Sequence, residues 1–557
     1  MHPGSLTRRG LLLAVAAGGA VVPARLWAAA RRPVLDRLEV ANDAGAPFAG
    51  DRALLATLSP GGVRGRSRAI VRFRLARAAH VKLEAVARDT PAEAQLAAET
   101  VDGTSSGRLV STQRRLLLAG SHALVWQPAA SLAPGTYTLR LTVTDARGVR
   151  TVYGAASPAQ PHLLRAPVVR LLGIDASAVQ RSYVSGGSAQ LVVAADALAL
   201  TVQLFRSGTE VVPTYANDQL NGVAVGDPQS LDWALNANAP VVVDVPLAPD
   251  LPSGVYYACV TSGDGRVGYA PFVVRPAQPE QRVAVVLPTN TWQAYNFYDA
   301  DGDGYGDSWY VSWRIRSVDL TRPYLKRGVP YRYRSYDLSF LHWLARTGKT
   351  VDFYADDDLE RFASGDALRA SYDLVVFPGH EEYVTAHAYD VVERYRDLGG
   401  NLMFLSANNF FRRVDHADAR ITLVGLWREL KRPEAGLVGV QYRASDRGTQ
   451  QNPFVVTEAG AASFAFAGTG LQAGSSFGLY GIEIDAVAPS SPPGTVVLAE
   501  IPDALGPGLT AQMSYYETAA GARVFAAGAL NFGGQVLLWP QATQLLENVW
   551  SRLAPAG

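Results

Sequence analysis

The 557-residue chain has a single cysteine, Cys259. An internal disulfide is therefore excluded, and thiol chemistry has one position open to it. An excess of either charge is missing too: 51 lysines and arginines face 50 aspartates and glutamates, for a net charge of +1. That balance provides no electrostatic footprint for nucleic acid or an anionic membrane. The apolar stretch near the start is short and broken by Pro23 and Arg25, so it makes a poor permanent membrane span. Neither H-x-x-x-H nor C-x-x-C occurs, which leaves a His/Cys zinc site without ligands. What is present is a globular composition, 48% hydrophobic and 18% charged, with 52 glycines and 33 prolines suited to many turns and short strands. A chain this long is expected to divide into roughly two to four domains.

Residues 1–30 read as an export signal. Thr7-Arg8-Arg9 precedes Leu11, Leu12 and Leu13, and Ala28-Ala29-Ala30 offers a cleavage site. The paired arginines resemble a twin-arginine signal, which implies a periplasmic or secreted protein. Residues 31–160 and 161–276 each read as a β-sandwich. "AIVRFRLARAAHVKLEAVAR" alternates apolar and polar side chains, and PGTYTLRLTVTD and PSGVYYACVTSG are alike as closing strands. The first resembles an immunoglobulin-like sandwich. Cys259 falls inside a strand, where a buried structural thiol is expected. "RPAQPEQR" is a linker, and from there to residue 557 a third domain is expected. Strands at VAVVLP, TVDFYA, SYDLVVFPG and NLMFLSANNFF alternate with helices at SYDLSFLHWLARTG and TAHAYDVVERYRDLGG, as in a parallel α/β sheet of the flavodoxin/glutaminase type. Thr385 is the expected N-cap of the second helix. Arg332 and Arg334 alternate with tyrosines in "YRYRSY" and read as a polar strand face; His342 reads as a packed core histidine.

In such a sheet, ligands gather beyond the carboxyl ends of the strands. Tyr295 and Asn296 follow the first strand, His380, Glu381, Glu382 and Tyr383 the third, and Asn408 and Asn409 the fourth. No cysteine stands at a strand-to-helix turn, so a thiol amidase does not fit. Gly474-Ser475-Ser476-Phe477-Gly478 matches the serine-hydrolase letters, yet it precedes a strand-like run and all 8 histidines come before it. Oxygen donors beside one histidine suit a hard cation, and a phenolate ligand points to ferric iron.

"LPTNTWQAYN", "SYDLSFLHWL", "GHEEY" and "LSANNFFRRV" resemble the C-terminal domain of the large subunit of N,N-dimethylformamidase and its relatives, as does "PSGVYYACV" with "PFVVRP". The resemblance spans about residues 165–557 and implies an amidohydrolase with one iron (Fe³⁺) held by two tyrosines and a glutamate. Carried over, Tyr295 and Tyr336 match the tyrosines and Glu382 the carboxylate. His380 and Asn408 match polar neighbours in the catalytic group, and Glu517 matches a distal acid. Where the family continues into a Gly-Gly stretch, this chain has "YDADGDGYGDSWY". Asp299, Asp301, Asp303 and Asp307 there have calcium-loop spacing, although the terminal glutamate is missing. Two readings follow: an exported hydrolase of amide C–N bonds acting on a small-molecule substrate, compatible with a homo-oligomer, or a non-catalytic protein that binds a glycan or another protein.

Overall fold

A computed structural model describes residues 34–87, 108–154, 164–310, 315–446 and 448–555. The export segment expected over residues 1–30 lies outside them. No described helix is long and apolar enough to cross a membrane. The molecule is mostly β-sheet, with several sandwich-like sheets. Its first part combines a three-stranded sheet (Leu35–Asn42, Ala69–Leu75, Gly120–Trp126) with a larger one built on Ala79–Ala87 and Gly135–Asp145. In Ala69–Leu75 the buried residues Ala69, Val71, Phe73 and Leu75 alternate with Arg72 and Arg74, which are exposed. That period of two turns one face into a shared apolar cluster. Val168–Leu171 also belongs to this larger sheet, pairing with Leu55–Leu58 and Gly135–Asp145. A second cluster joins the sheet of Ile174–Ala178, Ser188–Ala195 and Val241–Pro246 to a five-stranded sheet containing Gly254–Ser262 and Val267–Arg275.

The part that positions the site is a nine-stranded sheet. Its elements in chain order are β1 (Val283–Leu287), α1 (Thr289–Ala294), α2 (Tyr333–Tyr336), α3 (Leu338–Arg346), β2 (Asp352–Ala355), β3 (Leu374–Phe377), α4 (Ala386–Asp397), β4 (Asn401–Phe404), β5 (Gln451–Val456), β6 (Ser476–Gly481), β7 (Glu483–Ala486), β8 (Val496–Ile501), β9 (Ala511–Glu517), β10 (Arg523–Ala526) and α5 (Pro540–Leu553). The sheet order is β2-β1-β3-β4-β10-β9-β8-β5-β6, with β7 outside it. β2, β1, β3, β4 and β10 run parallel. Beyond β10 the remaining pairings are antiparallel. Every residue of β1 and β3 is buried, as continuous apolar runs require when helices cover both faces. α3 and α5 pack on one face and α4 on the other. The Thr385 hydroxyl accepts from the Ala388 amide at 3.1 Å and caps α4. Strand order reverses between β1 and β3, the position where sheets of this kind place their ligands.

One local expectation changes. "YRYRSY" is not a strand face: Arg332 sits at φ 59° and leads into the helical turn α2. The region after β4 adds the parallel β10 and four antiparallel strands to the sheet.

Candidate metal centre and active site

Each arm of the site is placed by local geometry. α1 starts directly after β1, and Tyr295 closes it, its amide donating to the Thr291 carbonyl at 3.0 Å. After β3 the chain passes through Gly379, where a Cβ would sit 2.1 Å from Asp337 Oδ1, so only glycine admits this close approach. His380, Glu381 and Glu382 follow, held by the Thr291 hydroxyl accepting from the Glu382 amide at 3.2 Å. After β4, Asn408 and Phe410 adopt φ of 57° and 56°. Ile482 has φ 71°, a left-handed conformation that a β-branched residue rarely takes. Such strain persists only where surrounding structure over-determines it, and here it aims the next residue, Glu483, inward. The Glu483 carbonyl accepts from the Leu530 amide at 3.0 Å, in the loop that follows β10.

These arms converge. The Tyr295 hydroxyl donates to Glu382 Oε2. His380 Nε2 lies 3.5 Å from both Glu382 Oε2 and Glu483 Oε2. Asn408 Nδ2 donates to Glu483 Oε2 at 2.7 Å, and the Asn408 amide donates to Asp485 at 2.9 and 3.0 Å. Arg412 Nε is 3.5 Å from Glu382 Oε1. The Tyr295 ring meets those of His380, Tyr310, Tyr331 and Tyr383 edge-on.

Burial dominates the electrostatics. It pushes His380 down to about 3, so the imidazole is neutral near pH 7 and its 3.5 Å approaches to carboxyls are not ion pairs. It pushes Glu382 up to about 7, against the opposing pull of Arg412, and Asp485 up to about 7. Glu483 is raised well above the carboxylate range by burial and by Glu382. Tyr295 and Tyr336 are likewise raised by burial first. Three buried carboxyls thus gather, with Arg412 beside Glu382 and Glu483 and Arg428 beside Asp485, and a buried cluster with that excess of acid suits a cation. Both His380 ring nitrogens and Asn408 Oδ1 are buried without a hydrogen-bond partner, as atoms reserved for a ligand would be.

The residues singled out in the sequence do not all meet. Tyr295, His380, Glu382 and Asn408 do. Tyr336 is buried nearby and shares Glu483 as a charged neighbour, but among the described residues no hydrogen bond joins it to Tyr295 or Glu382. Glu517 is a correction. It ends β9 opposite Arg523, at the amino end of β10 and so at the far end of the sheet from the site, and its exposed carboxylate pairs with Arg552 at 2.9 Å. The acid in the site is instead Glu483, with Asp485 behind it. Their trace in the sequence is "GIEIDAV", two acids at a spacing of two, which puts both on one face of a strand. Glu381 turns away from Glu382 into the interior beside Asp356, and this company and burial raise its carboxyl. Cys259 is part of a sandwich strand, its thiol pushed up to about 11 by burial, and Ser476 opens the edge strand β6 with its side chain exposed. His342 is buried with Nε2 3.0 Å from Glu210.

The acidic loop brings carboxylate oxygens of Asp299, Asp301 and Asp307 within 4.8 Å of one another. Asp303 is not in that group; its Oδ1 accepts from the Tyr305 amide at 2.9 Å. Asp299 is raised well above the usual range by burial and by its acidic neighbours.

A mixed sheet with a buried, oxygen-rich cluster beyond the carboxyl ends of its parallel strands defines the class of fold. Within that class, the chain belongs to the N,N-dimethylformamidase beta subunit-like, C-terminal family, which matches residues 229–542. The N,N-dimethylformamidase beta subunit of Paracoccus aminophilus is 33% identical over 115 residues, 20% of this chain and 15% of that protein. Its counterpart from Alcaligenes sp. is 33% identical over 119 residues, 21% of this chain and 15% of that protein. The matched segments thus span a small part of either relative's length. Among solved structures, the alpha-2-macroglobulin of E. coli aligns over 43% of this chain and 16% of its own at 13% identity, with a TM-score of 0.22 too low to carry an argument.

Proposed function

We propose that the chain is a hydrolase of amide C–N bonds acting on a small molecule, with a ferric ion held by Tyr295, Tyr336 and Glu382. The observation that carries this reading is the Tyr295–Glu382 hydrogen bond beside a buried, unpartnered His380, with Glu483 opposite. Two phenolates and a carboxylate would neutralise a trivalent ion. When bound, iron would supply Lewis-acid polarisation of a carbonyl and acidify water. The chain's own groups do the rest. In hydrolysis a water oxygen bonds to the carbonyl carbon, the C–N bond breaks, and the proton lost by water ends on the leaving nitrogen. His380 and Glu483 are the two groups placed to move that proton, 3.5 Å apart. Asn408, its amide nitrogen committed to Glu483, offers Oδ1 to a donor on the substrate.

Metal analysis tests the reading. Purified protein is expected to hold stoichiometric iron, to show a visible tyrosinate-to-iron absorption, and to cleave members of a small amide panel. Tyr336→Phe should lose the iron and leave the fold standing; unchanged iron content in that variant refutes the assignment of Tyr336. Protein that folds fully without metal and stays colourless with added ferric ion favours the non-catalytic binder. We also infer a calcium ion between Asp299, Asp301 and Asp307, twin-arginine export, and immunoglobulin-like topology for the two N-terminal sandwiches.

A further inference from the structure

We propose that Arg332 binds a carboxylate on the substrate, so that this site takes amides carrying a distant carboxylate in preference to neutral formamides. The inference deepens the amide-hydrolase reading and rests on it for the word substrate. Arg332 is half-buried, at φ 59°, between Tyr331 and α2. Its guanidinium lies over the Tyr331 ring, 5.7 Å from the centroid. The phenols of Tyr336, Tyr331 and Tyr310 are its titratable neighbours.

The Tyr331 ring in turn stands edge-on to Tyr295 at 6.3 Å, and Tyr295 edge-on to His380 at 5.6 Å. Arg332 therefore lies beside the metal-site residues, two rings removed from His380, and the Tyr336 phenol has both Arg332 and Glu483 as charged neighbours. What sets it apart is the absence of an acid. Arg412 and Arg428 pair with Glu382 and Glu434, but among the described residues no carboxylate lies within ion-pair distance of Arg332. Withdrawing a guanidinium from water without a counter-charge is unfavourable, and it becomes favourable when a ligand supplies the anion. The planar fork of arginine suits a carboxylate, which it grips through two parallel hydrogen bonds. The aromatic faces of Tyr310 and Tyr331, their centroids 6.0 Å apart, provide an apolar wall for a short methylene chain between amide and carboxylate. A one-carbon formamide would leave Arg332 unserved.

The test is calorimetric binding of matched pairs to the full-length, iron-loaded protein: succinamate against butyramide, and glutaramate against valeramide. The carboxylated member of at least one pair is expected to bind about tenfold tighter or more, the scale of one charge-assisted contact. Arg332→Gln should bring that ratio close to one. Arg332→Lys, which keeps the charge but not the fork, should lower it without abolishing it, and supplies the comparison if the glutamine variant does not fold. Equal affinities in the wild type, or a preference that either substitution leaves unchanged, overturn the proposal. Because binding is read, turnover is a separate question: an Arg332-dependent preference in a protein that cleaves no amide removes the hydrolase reading and leaves the anion site in place.

Discussion

Glu483 is the residue on which the site's polar contacts cross: His380 approaches it at 3.5 Å and Asn408 donates to it at 2.7 Å. Glu483→Gln keeps an oxygen for Asn408 but removes the group able to take up and return a proton. Under the proposed reading kcat falls by about 10²–10⁴-fold, the usual contribution of a positioned acid or base. Thermal stability should hold, because the substitution preserves shape and relieves a crowded set of buried acids. Steady-state hydrolysis together with a melting curve checks this; an unchanged kcat removes Glu483 from the chemistry. The same residue marks the limit of what the sequence shows. Tyr295, His380, Glu382 and Asn408 are legible because each follows a short apolar strand by a few residues, and parallel strands place such positions at one edge. Glu483 lies outside the parallel sheet, in β7, and arrives through a left-handed Ile482 and a bridge to the loop after β10. Nothing local in "GIEIDAV" encodes that path. Glu517 misled for the converse reason: a motif match in "SYYETAAG" carries no information on which end of the sheet the acid occupies, and that depends on strand direction.

At the scale of elements, the second tyrosine depends on a contact between α2 and the short, glycine-rich helical turn Phe532–Gln535. A Cβ on Gly534 would lie 1.7 Å from the Ser335 carbonyl oxygen and 2.8 Å from Tyr336 Cα. Gly534→Ala therefore has to push α2 outward, a form of overpacking that costs about 1–3 kcal/mol. Because Tyr336 rides on α2, iron content should fall as well, although every proposed ligand is still present. Urea midpoints and iron stoichiometry measure the two effects; native iron content in a destabilised variant would separate α2 from the metal. The parallel core was readable at this scale because its strands are unbroken apolar runs and its helices carry caps such as Thr385. α2 was not, since "YRYRSY" mimics the period of two of a strand while tertiary packing winds it into a helical turn.

Across the whole molecule, the acidic loop is where the N-terminal sheets reach the site. The Arg52 guanidinium donates to the Asp301 carbonyl, Arg170 to the Asp299 carbonyl at 3.2 Å, and the Thr138 hydroxyl to the Gly304 carbonyl at 3.4 Å. The Tyr298 hydroxyl donates to Asp175 at 3.1 Å. From the other side, Arg322 ties the loop to α1, donating to the Asp307 carbonyl at 2.8 Å and the Gln293 carbonyl at 2.6 Å. Tyr295 is thus four residues from a loop clamped between the sandwiches and the central sheet. Asp299, Asp301 and Asp307 repel one another inside that clamp, and a bound divalent cation would convert the repulsion into cohesion of all three parts. Calcium added to protein freed of divalent ions should therefore raise the melting temperature. A hundredfold excess over Kd corresponds to about 2.7 kcal/mol. Magnesium should do less, because it tolerates an irregular oxygen cage poorly. Asp299→Asn should abolish most of the calcium response, since Asp299 is the buried member of the trio. A melting curve insensitive to calcium, in a protein that is otherwise intact, would mean that these carboxylates are held apart by protons and backbone amides alone. The joint between the sandwiches and the site would then owe its stability to Arg52, Thr138 and Arg170 rather than to an ion.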